Sequence, residues 1–312
     1  MKVHFGVSDI FNEIKRPVVT VGTFDGVHLG HQKIIKRIRK IAKEIKGESV
    51  LLTFDPHPRS VIFNDQNIKL INTLKEKIEL LNLQNLDHLI IYPFTTEFSM
   101  LNAKDYVSEL LINQLNTHTL VIGYDHHFGN DRKGNINLLR NLQSEFQYNL
   151  EEIEAQEIDE IKISSTKLRN AIDTGNVQLF KQYSANYFQL NGKVIKGDGI
   201  GKKLGFPTAN IEILENEKIL PSNGVYAVIC RVHDEKLNGI MNIGKRPTIK
   251  EQSKISIEVH IFNWSKNIYG QSLKVFIIEK IRNEMKFSST VDLKTQISKD
   301  CFKSEKILNE TL

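Results

Sequence analysis

Gly22-Thr23-Phe24-Asp25-Gly26-Val27-His28-Leu29-Gly30-His31 lies between two patterned stretches. Before it is the short apolar run Pro17-Val18-Val19-Thr20-Val21. After it, from Gln32 to Lys46, Ile34, Ile35, Ile38, Ile41 and Ile45 recur at helical spacing among Lys and Arg. A buried strand, a glycine-rich turn and an amphipathic helix, in that order, begin a strand–helix–strand unit. The glycines let backbone approach a ligand, and the free N–H groups and dipole of a helix N-terminus favour a phosphate. His28 and His31, three apart, share one face once the helix has begun. Two imidazoles there can donate hydrogen bonds to a phosphoryl group under attack, where transition-state charge gathers. Zinc is a poor reading of the pair, because no third ligand lies at motif spacing.

Outward from this stretch the alternation continues. Ser49-Val50-Leu51-Leu52-Thr53-Phe54 reads as a buried strand stopped by Asp55-Pro56-His57-Pro58. Lys75 to Leu83 reads as a helix, His88 to Tyr92 as a strand, Ala103 to Leu115 as a helix and Thr119 to Gly123 as a strand. Such alternation predicts an α/β region with a parallel sheet and helices on its faces. After about residue 185 the texture changes to short β-rich segments such as Gly224 to Val232, Ile255 to Phe262 and Leu273 to Ile278. Their period-2 alternation and polar, Gly-marked connections predict antiparallel strands closing a small barrel or sandwich, followed by a final helix from Val291 to Leu308. The boundary is placed between 184 and 185. The acidic stretch Glu151 to Glu160 reads as a solvated strand edge.

With 312 residues, 40% hydrophobic and 25% charged, the chain is neither disordered nor in need of disulfide staples. A net charge of +5 permits anionic ligands without arguing for nucleic acid. Cys230 and Cys301 have no paired spacing and fit a reducing compartment. No leader-like segment and no apolar run of membrane length is present, so a soluble, cytoplasmic protein with no membrane partner is expected. Only ten of the 42 basic residues are Arg. Arg59, Arg132, Arg169, Arg246 and Arg282 stand in Gly-, Pro- or Ser-marked segments and are candidates for phosphate or ring contact.

Two further segments carry chemistry. Ser164, Ser165, Thr166 and Arg169, before and within a helix that starts near Thr166, compose a second anion site, whereas a plain helix cap would need one Ser or Thr. In Gly197-Asp198-Gly199-Ile200-Gly201-Lys202-Lys203-Leu204-Gly205-Phe206-Pro207-Thr208-Ala209-Asn210, glycine N–H groups and two lysines suit phosphates. Thr208 and Asn210 there offer hard oxygen donors for a divalent cation that keeps most of its waters.

His28-Leu29-Gly30-His31 resembles the HxGH signature of the nucleotidyltransferase superfamily, and Ile163 to Arg169 resembles its ISSTxIR partner. Gly22 to Gly26, Thr53 to Pro58 and Gly123 to Gly129 narrow the resemblance to the FMN adenylyltransferase domain of bacterial bifunctional FAD synthetases. Gly205 to Asn210 resembles the PTAN motif of riboflavin kinases. Gly224 to Ala227, Asn242 to Thr248, Ile257 to Ile261 and Lys280 to Phe287 follow that family's order. The resemblance implies a Rossmann-like nucleotidyltransferase domain over 1–184 and a riboflavin kinase β-barrel over 185–312. It also implies riboflavin, FMN and ATP as substrates and Mg²⁺ as cofactor.

By the same resemblance His28 and His31 are catalytic, Gly22, Phe24, Ser164, Ser165, Thr166 and Arg169 hold the nucleotide, and Asp55, His57, Asp125 and Arg132 line the flavin side. In the kinase it makes Glu258 the base, Gly199, Lys202, Lys203 and Gly205 the nucleotide loop, Arg282 and Glu284 flavin contacts, and Thr208 and Asn210 the Mg–ATP ligands. The chain departs from the family at His126 and His127, where Phe and Arg are usual. Partners are expected to be small molecules, and the protein a monomer or weak homo-oligomer. Two other readings were weighed. A related nucleotidyltransferase with a non-kinase barrel would not need Thr208, Asn210 and Glu258 together. A nucleic-acid-binding barrel would interleave aromatic and basic residues on its strands, which these strands do not.

Overall fold

The computed structural model describes residues 1–7, 13–63, 68–123, 126–153, 163–233, 235–245 and 255–311. These form two compact units, Met1–Ser165 and Thr166–Leu312.

The first unit contains β1 (Lys2–Phe5), β2 (Val18–Val21), α1 (Leu29–Ile45), β3 (Ser49–Asp55), α2 (Pro58–Ile62), α3 (Leu74–Asn82) and β4 (His88–Pro93). They are followed by α4 (Thr96–Ser99), α5 (Ala103–Asp105), a π-helix (Tyr106–Gln114), β5 (Thr119–Gly123), α6 (Ile136–Phe146) and β6 (Asn149–Ile153). The strands make one six-stranded sheet in the order β1-β4-β3-β2-β5-β6. Every pairing in it is parallel.

Strand alternation sorts the core. Val19, Val21, Val50, Leu52 and Phe54 share one cluster with Tyr106, Leu110 and Leu139. Val18, Leu51, Leu89 and Val121 share another with Ile35, Ile38 and Leu81. Helices therefore cover both faces, which is why β2 and most of β3 are buried along their length. The chain leaves β2 to build one wing (β3, β4) and returns beside β2 with β5, so the strand order, though not the strand direction, reverses between β2 and β5. Ligands in such sheets bind outside the carboxyl ends of the strands at that switch point. The carboxyl end of β2 is where Gly22 begins.

Two details depart from the sequence reading. The segment read as a helix from Ala103 to Leu115 is α-helical for only its first residues and then widens into π-helix. Edge strand β1 and helix α6 had no counterpart in that reading; the polar–apolar alternation of β1 covers only four residues, and the strand is mostly exposed. Glu151 to Ile153 end β6, at the open edge of the sheet, and residues 154–160 of the acidic stretch lie outside the described residues.

The second unit opens with α7 (Ser165–Asp173, all but its first residue) and α8 (Val177–Ser184). The barrel elements follow: β7 (Phe188–Ile195), α9 (Ile200–Leu204), β8 (Ala209–Glu212), β9 (Gly224–Val232), β10 (Glu235–Lys245), β11 (Ile255–Ile261), β12 (Ser272–Arg282) and α10 (Thr290–Thr311). The six strands close in the order β10-β11-β8-β7-β12-β9, and every pairing is antiparallel. Closure leaves no sheet edge to cap. Helices α7 and α8 belong with the barrel: Ser222 N donates to Ile172 O at 3.3 Å, and Phe180 meets Phe188 edge-on at 5.3 Å.

Helix α10 covers one side of the barrel. Leu308, fully buried, packs with Val225, Ala227, Ile240 and Ile278. Ser304 Oγ donates to Gly239 O at 3.0 Å. Arg282 Nε donates to Asp300 Oδ2 at 2.9 Å, with a second guanidinium nitrogen at 2.8 Å from the same oxygen. Leu308→Ala should therefore cost about 2–5 kcal/mol of stability, the range for truncating a buried Leu. Urea unfolding checks this; a loss under 1 kcal/mol would mean α10 is not part of the barrel core.

Candidate active sites

In the first unit, the turn after β2 is built from strained backbone. Phe24 and Val27 have φ of 47° and 37°, and Gly26 lies between them at 88°. A β-branched residue such as Val27 rarely adopts positive φ, so its surroundings must hold it there. Val27 and Phe24 do so by burying themselves against the Ile35–Ile38 cluster. Gly22 leaves room for this packing: a Cβ there would press on the Phe24 ring at 3.1 Å.

Asp25, 1% exposed, fixes the turn from the other side. Its carboxylate accepts from Ile71 N at 3.1 Å and from Asn72 N at 3.2 Å, while Asn72 Oδ1 accepts from Gly26 N at 3.0 Å. Within the same unit the Asp25 carbonyl accepts from Ser165 Oγ at 2.8 Å. Asp25, Asn72 and the buried Lys77, whose Nζ lies 3.5 Å from Thr53 Oγ1, were not singled out from sequence. Burial pulls the Lys77 ammonium below its usual pKa, against the pull of Asp25 and Asp55. A lysine on the otherwise apolar face of α3 was the one signal available for it.

His28 caps α1: its Nδ1 accepts from His31 N at 3.3 Å. A ring nitrogen that accepts carries no proton, so neutral His28 holds its proton on Nε2 and presents that N–H as a donor. The His28 and His31 rings stack at 3.6 Å, and Phe24 lies 4.7 Å from His31, making a three-ring column. Burial holds His28 at a pKa of about 4 and His31 well below its usual value, with each ring and Lys77 opposing further charge on His31. His31 Nδ1 is buried without a hydrogen-bond partner among the described residues. Such an atom is costly unless a ligand satisfies it.

The other expected residues of this unit spread around the carboxyl ends of the strands. Asp55 ends β3, exposed, and His57 caps α2, its Nδ1 accepting from Arg59 N at 3.2 Å. Asp125 lies outside the described residues. His126 stacks on Phe128 at 5.7 Å. Arg132 is exposed in a 3₁₀ turn, at a φ of 56°. Ser164 is exposed just before α7, and Thr166 and Arg169 lie within that helix in the second unit.

In the barrel, the structure brings three of the expected residues together. Thr208 Oγ1 donates to Glu258 Oε2 at 3.3 Å. Asn210 on β8 stands directly opposite Glu258 on β11, and Glu258 stands opposite Asn242 on β10. Three polar side chains thus form one row across three strands, continued by Thr208 beside it. Asn242 was within a quoted motif but was not named as a site residue. Gly197 and Gly201 make room for this group: a Cβ on the first would collide with the Asn210 amide, and on the second with Phe206 O and, at 3.1 Å, with Thr208 Oγ1.

Gly199 (φ 69°) and Gly205 (φ 93°) bracket α9 and put exposed Lys202 and Lys203 on its single turn and a half. His260 Nδ1 bonds Pro207 O at 2.8 Å, anchoring the far end of the loop. Glu284 accepts from Asn223 Nδ2 at 2.8 Å and sits against Gly244, and Arg282 is engaged by Asp300 as described. Arg246 lies outside the described residues. Hydroxyl, amide and carboxylate oxygens so gathered match what a hard divalent cation accepts. Among the described residues no cluster of His, Cys, Asp and Glu suits a transition metal.

Residues 11–167 match the family model described as FAD synthetase, and residues 184–308 match the one described as riboflavin kinase. A Buchnera aphidicola (subsp. Schizaphis graminum) protein named bifunctional riboflavin kinase/FMN adenylyltransferase is 38% identical over 96% of this chain and 96% of its own length. A Haemophilus influenzae protein of the same name is 38% identical over 90% of this chain and 91% of its own. A Streptococcus pneumoniae crystal structure called a macrolide-efflux protein superposes with a TM-score of 0.85 at 28% identity, covering 96% of this chain and 97% of that one. Among the described residues no helix is long and apolar enough to cross a membrane.

His28 binds its proton less readily folded than unfolded, where its pKa is 6.5. The stability contributed by the neutral ring is complete above pH 6.5 and is lost as the pH falls toward 4. An NMR titration should show His28 as the neutral Nε2–H tautomer at pH 7, charging near pH 4. Denaturation midpoints should fall between pH 6.5 and 4, less steeply in His28→Gln. Titration of His28 near 6.5 would contradict the buried column.

Proposed function

This chain belongs to the bifunctional riboflavin kinase/FMN adenylyltransferase family, and we propose that two segments of it, divided after α8, carry the two reactions. Residues 1–184 carry adenylylation of FMN to FAD, and residues 185–312 carry phosphorylation of riboflavin. The observation that supports this division is that each unit gathers a phosphate-handling group of its own: the His28–His31 column after β2, and the Thr208–Asn210–Glu258 row in the barrel. A barrel with some other role would have no use for that row.

In the adenylyltransferase, an FMN phosphate oxygen attacks the α-phosphorus of ATP. The bond from that phosphorus to the bridging oxygen breaks, and pyrophosphate leaves. His28 Nε2–H donates to the phosphate oxygens as charge builds on them, as does His31. Both are kept neutral by burial, so they give hydrogen bonds without a proton to lose or gain. The N–H groups at the start of α1 and the nearby Lys77 ammonium add positive potential. Ser164, Ser165, Thr166 and Arg169 hold the departing pyrophosphate. Asp55, His57 and Arg132 contact the flavin, a role that the family resemblance extends to Asp125, which lies outside the described residues. Catalysis is by position and charge, with no covalent enzyme intermediate.

In the kinase, Glu258 orients the riboflavin 5′-hydroxyl and takes its proton as the oxygen attacks the γ-phosphorus of ATP, and ADP leaves. Thr208 and Asn210 would hold Mg²⁺, which when bound neutralises charge on the ATP oxygens. The Gly199–Gly205 turn, with Lys202 and Lys203, grips the nucleotide, and Arg282 and Glu284 border the flavin. The Thr208 hydroxyl, which already donates to Glu258, keeps that carboxylate turned toward the row. Free Cys230 and Cys301 suit the reducing cytoplasm, where flavin precursors and ATP are at hand.

Single substitutions should separate the reactions. Glu258→Gln should lower FMN formation by roughly 10²- to 10⁴-fold, the usual cost of removing a general base, while supplied FMN is still converted to FAD. His28→Ala should lower FAD formation by roughly 10²- to 10³-fold and accumulate FMN from riboflavin. Chromatography of flavins after timed incubation with ATP and Mg²⁺ reads both. If folded Glu258→Gln lost both activities equally, one shared flavin site would replace the two-site assignment.

A further inference from the structure

Between Leu29 and Lys46 stand seven Lys or Arg and one Glu, a net of +6, whereas the whole chain carries +5. The positive charge of the protein is therefore concentrated on α1. Lys36, Arg39, Lys40 and Lys43 are exposed, and among the described residues none of the four is ion-paired; Arg37, by contrast, is bound to Glu151. Leu29, Lys33, Ile35, Lys36, Arg39 and Gln84 line a groove of about 310 Å³ along this helix. The groove starts at Leu29, the residue after the cap His28. Its walls are cationic, and Leu29 and Ile35 give it an apolar side.

We propose that this groove and the cationic stripe of α1 capture the anionic, ring-bearing substrates of the adenylyl-transfer site, ATP and FMN, and feed them to the turn at His28. The proposal rests on the assignment of that turn to adenylyl transfer. Side chains on a helix tilt toward its N-terminus, so the lysine and arginine heads lean toward the turn. The 17 residues of α1 span about 26 Å. The screening length is about 8 Å at 0.15 M salt and about 30 Å at 0.01 M. Near physiological salt only the groove end of the stripe acts on the turn, and at low salt the whole helix does.

The test uses the full chain and two paired variants, Lys36→Gln with Arg39→Gln, and Lys40→Gln with Lys43→Gln. All four residues are exposed, and Gln keeps the helix. The first pair should lower kcat/KM for FAD formation from FMN by about 10-fold at 0.15 M salt, with kcat held and riboflavin phosphorylation unchanged. The second pair should have a comparable effect only near 0.01 M, within the 10- to 10³-fold range of electrostatic steering. Stopped-flow association of the fluorescent analogue mant-ATP, in a Thr208→Ala background that silences the barrel, reads capture without turnover. Its on-rate should fall with salt and with each pair in the same pattern. On-rates and salt slopes equal to those of the unaltered chain would overturn the proposal. Charge-dependent capture in a chain that forms no FAD would instead leave the groove as a nucleotide-capturing surface and overturn the assignment of the chemistry, and with it the delivery to the turn.

Discussion

The buried carboxylate of Asp25 is the constraint on which the first unit's site depends. A carboxylate accepting backbone N–H groups out of water is held more firmly than a neutral hydrogen bond would be. Here the N–H groups come from Ile71 and Asn72, far along the chain, and Asn72 returns a bond to Gly26. With Gly26 held, Phe24 and Val27 keep their positive φ, α1 starts at a fixed place, and His28 and His31 stack. The strain is localised in Phe24 and Val27 and is offset by burying both. Without the clamp that turn would relax toward ordinary backbone, and the ring column would have no reason to persist.

The barrel solves the same problem by different means. Its reactive groups stand on regular strands, where register alone sets Asn210, Glu258 and Asn242 side by side. Precision there comes from ladder hydrogen bonds and closure, and beside the row the Gly197–Thr208 loop turns on positive φ at Gly199 and Gly205. The pair Arg282–Asp300 locks the end of β12 to α10, so a strand end near the expected flavin contacts is braced by the terminal helix.

Much of this was readable in the chain because it rests on local pattern. Strand–turn–helix periodicity gave the sheet unit, and the Gly205 to Asn210 segment pointed to Thr208 and Asn210, while Glu258 came from the resemblance to riboflavin kinases alone. What was not readable depends on contacts between distant residues. Nothing near Asp25 in sequence points to Asn72, and nothing near Arg282 points to Asp300. Lys77 read as one more charge on a helix until the fold buried it. The π-helix replaced an expected α-helix because both share nearly the same apolar spacing and differ only in which carbonyl each N–H reaches. The edge strand β1 alternates polar and apolar residues, but over only four mostly exposed positions, too short a run to mark a strand.

The most direct test of this account is the kinetics of Asp25→Asn. The amide keeps the size of the carboxylate and its oxygen can still accept from Ile71 N and Asn72 N, but it removes the charge and sets an NH2 donor against the Ile71 N–H, which reaches the second oxygen at 3.2 Å. The account predicts a folded protein in which kcat/KM for FAD formation falls by roughly 10²-fold or more, as displaced oxyanion-type donors would cause, while riboflavin phosphorylation holds within twofold. FAD formation within twofold of the unaltered chain, in a folded variant, would show that the clamp does not organise the histidine pair and would contradict the account.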